Sequence, residues 1–161
     1  MLKSGFRTYK GLFVGGLIAL AGAGLSFTTM LDRFQTLTWG NKCLFEAYDP
    51  SDEIKLRRWE LNLTHDDFLR FKKVYQNGKQ EYYSVSLRRF KDMDYLGTTT
   101  RGILRIKTQT DDIIVQTYND PKGNVDSMTT TLIIPVKNME AERLDSLYTA
   151  LNFLKIPMGV K

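Results

Sequence analysis

A run of twenty-one residues without a charged side chain, 11–31, constrains this chain more than any other feature of its sequence. About 20 apolar residues suffice for a helix to cross the hydrocarbon core of a bilayer. Three basic residues, Lys3, Arg7 and Lys10, precede the run. Because basic flanks stay on the cytoplasmic side, we expect a single-pass signal anchor in the cell (inner) membrane. Residues 1–10 would then be cytoplasmic, and the chain beyond the run would be exported to the periplasm or an equivalent space.

Side chains at both ends of the run have the chemistry of the membrane interface. Basic residues and amphipathic aromatic rings favour the headgroup region of a bilayer. Six residues are therefore candidates for contact with membrane lipid: Lys3, Arg7, Lys10, Arg33, Phe34 and Trp39. We predict that residues 32–40 form a juxtamembrane linker and that residues 41–161 form the exported domain.

The same N-terminal residues also fit a cleavable signal peptide. A basic start, the apolar stretch 12–20 and small-residue sites within 19–23 are its usual parts. The apolar character continues to Leu31, which favours an anchor that is retained. The mature N terminus distinguishes the two alternatives, since cleavage would leave a chain that begins at Gly22 or Gly24.

Small side chains recur along one side of a helix built from the apolar run. In lipid, helix association depends on close backbone packing rather than on hydrophobic transfer, and small residues permit it. The predicted helix-packing face consists of Gly15, Ala19 and Ala23, with Gly22 and Ser26 on the neighbouring ridge. We expect this face to contact helices of other membrane protein subunits.

Beyond residue 40, the sequence predicts a small α+β domain with one mainly antiparallel sheet of about five to six strands. Alternating or β-branched apolar residues indicate the strands. They are predicted at residues 41–48, 55–63, 81–90, 102–108, 112–118 and 127–136. The short connections after residue 81 favour an antiparallel meander.

Two helices complete the predicted domain. One internal helix runs from a cap at Thr64 to about Gln76, because apolar residues recur there at helical spacing. A C-terminal helix runs from about Met139 to Lys155. We expect it to pack on the sheet through one apolar stripe, which consists of Leu144, Leu147, Tyr148, Leu151 and Leu154.

Residues that carry catalysis or bind metals are few. The single histidine, His65, is expected at a helix start, and the single cysteine, Cys43, as a small buried core residue. No glycine-rich phosphate loop is present, and the loop acids lack the spacing of a calcium loop. These loop acids are Asp111, Asp112, Asp120 and Asp126. The sequence therefore predicts no enzyme activity, no catalytic residue, no metal site and no cofactor.

The charge balance bears on possible partners. Three of the 23 Lys and Arg residues precede the apolar run, which leaves 20 against 18 Asp and Glu in the remainder. A nearly neutral domain, with basic pairs interleaved with acids, does not favour nucleic-acid binding. We also predict no small-molecule substrate.

Together these features favour a non-enzymatic, single-pass accessory or assembly subunit of a larger membrane protein complex. The alternative is a membrane-anchored or secreted ligand-binding module. Its apolar pocket within the α+β domain would be lined by some of Tyr82, Tyr83, Phe90 and Tyr118.

Overall fold

The computed structural model describes residues 32–157, so the predicted membrane segment 11–31 lies outside the described part. A first helix, α1, covers residues 32–47. The strands follow in chain order: β1 (Leu56–Leu63), β2 (Phe68–Tyr75), β3 (Gln80–Ser86), β4 (Phe90–Gly97), β5 (Arg101–Thr108), β6 (Ile113–Tyr118), β7 (Asp126–Thr129) and β8 (Thr131–Lys137). A second helix, α2 (Ala141–Lys155), ends the described fold.

The strands form two antiparallel sheets. The five-stranded sheet has the order β1-β2-β3-β6-β7, and the three-stranded sheet has the order β4-β5-β8. The predicted α+β class with antiparallel strands is confirmed; the described fold has two helices, of which only the C-terminal one was predicted as a helix. The predicted single meander is wrong, because a 3-10 helix at Leu87–Arg89 separates β3 from β4 and the two strands belong to different sheets. Strand β3 then pairs with β6, and β5 pairs with β8.

The segment 41–48, which the sequence predicts to be a strand, belongs mostly to α1. Four buried residues, Leu37, Gly40, Leu44 and Ala47, recur at helical spacing along it. The same helix occupies residues 32–40, where the sequence suggested a linker. Because α1 buries this stripe in the core, packing outweighs the short apolar pattern of 43–45.

The internal helix predicted between Thr64 and Gln76 is also wrong, since residues 68–75 form β2. Thr64 does not cap a helix. Its backbone N–H donates to Phe68 O at 2.8 Å, and its hydroxyl donates to the same carbonyl at 3.0 Å, which closes a hairpin turn. The following Asn77-Gly78 pair forms the next hairpin turn, with Gly78 at a φ of +86°.

Two further differences concern strand boundaries. Residues 90–97 form β4, which is not among the strands predicted from the sequence. The predicted strand 127–136 is divided at Thr130, where β7 ends in one sheet and β8 begins in the other. The strands predicted at 55–63, 102–108 and 112–118 are confirmed, with ends that differ by one residue or none.

A single hydrophobic core joins both sheets and both helices. Helix α2 contributes Leu147, Leu151 and Leu154, so the predicted apolar stripe is covered by protein. Tyr148 belongs to that predicted stripe but is 40% exposed, and its ring lies 6.1 Å from the ring of Phe90.

Candidate functional site

The residue types most suited to catalysis or metal binding are dispersed over the described structure. His65 lies in the exposed turn between β1 and β2, and Cys43 is buried in α1. The Arg143 guanidinium donates to Cys43 Sγ at 3.3 Å and to Cys43 O at 3.1 Å. Within residues 32–157, no three His, Cys, Asp or Glu side chains are grouped so that they could hold a metal ion.

Three of the four loop acids, Asp112, Asp120 and Asp126, contact separate groups and do not form a shared site. Asp112 accepts from Thr110 Oγ1 at 2.6 Å, and Asp120 pairs with Lys79 at 2.9 Å. Gln116 Nε2 donates to Asp126 at 3.5 Å. These carboxylates therefore stabilise turns and strand ends at separate places.

A connected set of polar side chains lies on the inner face of the five-stranded sheet. The Tyr75 hydroxyl lies 3.1 Å from a carboxylate oxygen of Glu53 and 3.1 Å from one of Glu81. The Tyr83 hydroxyl donates to Glu81 at 3.2 Å, and the Lys73 ammonium pairs with Glu53. We refer to these five residues as the carboxylate–tyrosine network.

The pKa values of Glu81 and Tyr83 in this network are displaced away from neutral pH. Burial would raise the pKa of Glu81, but the hydrogen bond and charge of Lys79, with the charge of Lys73, outweigh it and lower that pKa. Burial and then the negative charge of Glu81 raise the pKa of Tyr83 to about 12. Acid–base catalysis instead needs a pKa near the working pH. At neutral pH, Glu81 is therefore charged and Tyr83 keeps its proton.

A groove of about 580 Å³ lies between α1 and α2. Trp39 and Phe153 are its large apolar residues, and they are 40% and 38% exposed. The other lining residues are small or polar: Gln35, Thr36, Asp145, Ser146, Thr149 and Ala150. We call this feature the helix-pair groove. It presents two exposed aromatic rings beside small side chains that let another chain approach closely.

A second surface lies on the outer face of the five-stranded sheet. A shallow cavity of about 560 Å³ is lined by Gln80, Tyr82, Gln116, Tyr118 and Asn119. The rings of Tyr82 and Tyr118 stand almost perpendicular, with centroids 5.4 Å apart. We call this set the tyrosine–glutamine patch.

The four aromatic residues proposed to line one apolar pocket do not lie together. Tyr82 and Tyr118 belong to the tyrosine–glutamine patch on the outer face. Tyr83 points to the other face, because neighbouring residues in a strand alternate, and its ring lies 5.9 Å from Phe71. Phe90 is buried beside α2.

Three of the predicted membrane-interface residues are described. Arg33 is buried, whereas Phe34 and Trp39 are exposed on α1. The remaining interface residues, Lys3, Arg7 and Lys10, lie outside the described residues. So does the whole predicted helix-packing face, Gly15, Ala19, Gly22, Ala23 and Ser26.

Sequence reasoning did not identify Phe153, Gln80 or Gln116 as site residues. The alternation of β3 does separate Gln80 and Tyr82 from the core-facing side chains, so part of the patch could have been found. The β6 half of the patch, Gln116 and Tyr118, could not be found in this way. It depends on the pairing of β3 with β6, which brings Gln80 opposite Tyr118 and Tyr82 opposite Gln116.

Comparison with protein-family models, curated proteins and solved structures finds no match to this chain. No helix among residues 32–157 is both long and apolar enough to cross a membrane.

Proposed function

We propose that the protein is a non-enzymatic accessory or assembly subunit of a larger membrane protein complex. In this proposal, residues 11–31 form a retained membrane anchor and the domain described above lies on the exported side. The observation that carries the proposal is the helix-pair groove, because two exposed aromatic residues line it together with several small side chains.

The groove has the composition of a protein contact rather than of a reaction site. Aromatic residues are enriched at protein interfaces, and an apolar groove can receive one face of an amphipathic helix. Ser146, Thr149 and Ala150 are spaced three and four residues apart on α2, so that their side chains share one face of this helix. A helix of a partner subunit could therefore lie against them, with Trp39 and Phe153 at its sides.

The position of the groove in the chain suits a subunit of a membrane complex. Trp39 follows Leu31 by only eight positions in the chain. A residue spans at most about 3.6 Å along the chain. If the anchor ends at the membrane surface, Trp39 therefore lies within about 30 Å of that surface. An occupant that is itself part of a membrane protein is thus within reach.

Photo-crosslinking in native membranes tests the proposal directly. A photoreactive phenylalanine analogue replaces Phe153, and the full chain carries a tag after Lys161. The matched control places the analogue at Tyr118, which has similar exposure but lies on the sheet. We expect a discrete crosslinked protein from position 153 and none of that size from position 118.

Co-purification provides the second readout. The double variants Trp39→Ala with Phe153→Ala, and Gly15→Leu with Ala19→Leu, should each reduce recovery of the crosslinked partner. A full chain that leaves the membrane in mild detergent as a monomer, with no crosslink from position 153, would overturn the proposal.

A further inference from the structure

The tyrosine–glutamine patch combines two side-chain types in a regular arrangement. Gln80 lies directly opposite Tyr118, and Tyr82 directly opposite Gln116, so that the four side chains alternate across β3 and β6. The Tyr82 hydroxyl donates to Gln80 Oε1 at 3.1 Å, and the Tyr118 hydroxyl to Gln116 Oε1 at 3.3 Å. The amide nitrogens take no part in these two bonds. Gln116 Nε2 directs one N–H to Asp126 at 3.5 Å, and because an amide carries two N–H groups, its second one and those of Gln80 can donate to a ligand.

The two rings differ in their surroundings. Lys72 lies over the Tyr82 ring, with its ammonium nitrogen 4.8 Å from the centroid, and Tyr118 packs at 88° to the same ring. Tyr82 is therefore held between β2 and β6. Tyr118 is 44% exposed and offers the more accessible aromatic surface.

The patch lies near the ends of two inner strands, where β3 begins and β6 ends, and not on an edge strand. Strands β3 and β6 both have a hydrogen-bonded neighbour on each side, in the order β2-β3-β6-β7. A peptide that binds by adding a strand needs a free edge, which this place does not offer. The ligand must instead be recognised by side chains alone.

Charge narrows the chemistry of that ligand. Among the described residues, Lys72 and Asp126 are the charged residues with a contact to the patch side chains, one of each sign. Nucleic-acid sites combine stacking rings with an excess of basic residues that follow the phosphates. A balanced pair of charges favours a neutral ligand with a flat apolar face and several hydroxyl groups.

We propose that the tyrosine–glutamine patch binds a neutral saccharide. The C–H face of one sugar ring lies on Tyr118, since an aromatic ring buries apolar surface while its hydroxyl stays hydrogen-bonded. The Gln80 and Gln116 amides, with Asn119 at the rim, bind the hydroxyl groups of the sugar. This site is separate from the helix-pair groove, so it does not depend on the proposed function.

Isothermal titration of the full chain tests the proposal. The protein is kept in a detergent without sugar, such as lauryldimethylamine oxide, because glycoside detergents would compete. Chitotetraose, cellotetraose and maltotetraose are the saccharide probes, and a twelve-residue oligothymidylate is the nucleic-acid probe. We expect saturable binding of at least one tetrasaccharide and none of the oligonucleotide.

Variants assign the binding to the patch. Tyr118→Ala and Gln116→Ala should each weaken binding by about tenfold, which corresponds to about 1.4 kcal/mol. Tyr148→Ala is the matched control, since Tyr148 is a similarly exposed tyrosine on α2, and it should bind as the wild type does. Circular dichroism verifies that each variant is folded.

Three outcomes would overturn the proposal. They are no binding of any tetrasaccharide by the wild type, equal binding by the wild type and the folded Tyr118→Ala variant, and preferential binding of the oligonucleotide. None of these outcomes alters the crosslinking expected from the helix-pair groove.

Discussion

The side chain of Asn41 in α1 hydrogen-bonds to both the N–H and the C=O of Leu63 in β1, as the backbone of a neighbouring strand would. Its Nδ2 donates to Leu63 O at 2.9 Å, and its Oδ1 accepts from Leu63 N–H at 2.6 Å. Strand β1 is an edge strand of the five-stranded sheet. Asn41 therefore satisfies the end of an edge strand and fixes α1 against it.

Replacing Asn41 with alanine should lower the free energy of unfolding by about 2–3 kcal/mol, because a paired N–H and C=O at a buried position lose their partners. Urea denaturation of the full chain measures the change. Asn152→Ala is the control, since Asn152 is on α2 and donates only to Tyr148 O, one turn earlier. Its effect should stay within about 0.5 kcal/mol, and equal losses in both variants would contradict the role given to Asn41.

Gly40→Ala should also destabilise the domain. A Cβ at Gly40 would lie 2.6 Å from Leu63 Cδ1, so either α1 or the leucine must move. Overpacking of this kind costs about 1–3 kcal/mol, against a gain of about 1 kcal/mol from the helix propensity of alanine. Repeating the substitution in a Leu63→Val background removes the clashing atom. A Gly40→Ala cost that is unchanged there would show that the contact does not set it.

The buried hydroxyl of Tyr48 should contribute nothing favourable. Among the described residues it has no hydrogen-bond partner, although Tyr48 is only 2% exposed. Tyr48→Phe should therefore leave stability unchanged or raise it by about 1 kcal/mol, since an unsatisfied buried hydroxyl is removed.

Tyr75→Phe is the matched comparison, because it removes a hydroxyl that lies 3.1 Å from both Glu53 and Glu81. We expect it to cost about 1–3 kcal/mol, as for other hydrogen bonds to charged groups. Thermal and urea unfolding of both variants test this order. A Tyr48→Phe variant less stable than Tyr75→Phe would contradict the conclusion that the Tyr48 hydroxyl is unsatisfied and the Tyr75 hydroxyl stabilising.

Stability should fall in acid partly through Asp94. Hydrogen bonds from Arg105 and then from Lys107 lower the pKa of this carboxyl from 3.8 to about 2. A carboxyl whose pKa is lower in the folded protein stabilises it fully above the unfolded pKa and loses that contribution as pH falls through the folded one. Asp94→Asn should reduce the midpoint temperature at pH 7 and flatten its fall between about pH 4 and pH 2.

The control for this experiment is Asp111→Asn, which changes an exposed loop acid. Its midpoint temperature should follow the wild-type pH profile. An Asp94→Asn profile parallel to that of the wild type would contradict the contribution assigned to the carboxylate and its two basic partners.

Local residue patterns were sufficient to predict several strands and the C-terminal helix. Residues 102–108 and 112–118 are rich in β-branched side chains, and β-branched residues fit a pleated, half-buried surface wherever the strand pairs. The stripe of α2 likewise has helical spacing over about three turns, long enough for its periodicity to be decisive. Local physics alone determined these elements.

Tertiary contacts decided the segments whose patterns were ambiguous. Residues 68–75 offer apolar side chains at helical spacing, but they alternate as well, and pairing with both β1 and β3 makes them a strand. Residues 41–47 are helical because Leu44 and Ala47 extend a buried stripe that begins at Leu37. Short apolar patterns fit either element, so burial makes the choice.

For the two candidate sites, too, some features follow from the sequence and others from the tertiary structure. The sequence by itself determined the uncharged run 11–31 and the alternation that separates Tyr82 from Tyr83. Only the tertiary structure decided that Tyr82 meets Tyr118 on an outer sheet face, and that Trp39 of α1 and Phe153 of α2 line one groove. The physical reason is distance along the chain: periodicity reports which side of its own element a residue occupies, whereas the partner of that side depends on the packing of remote segments.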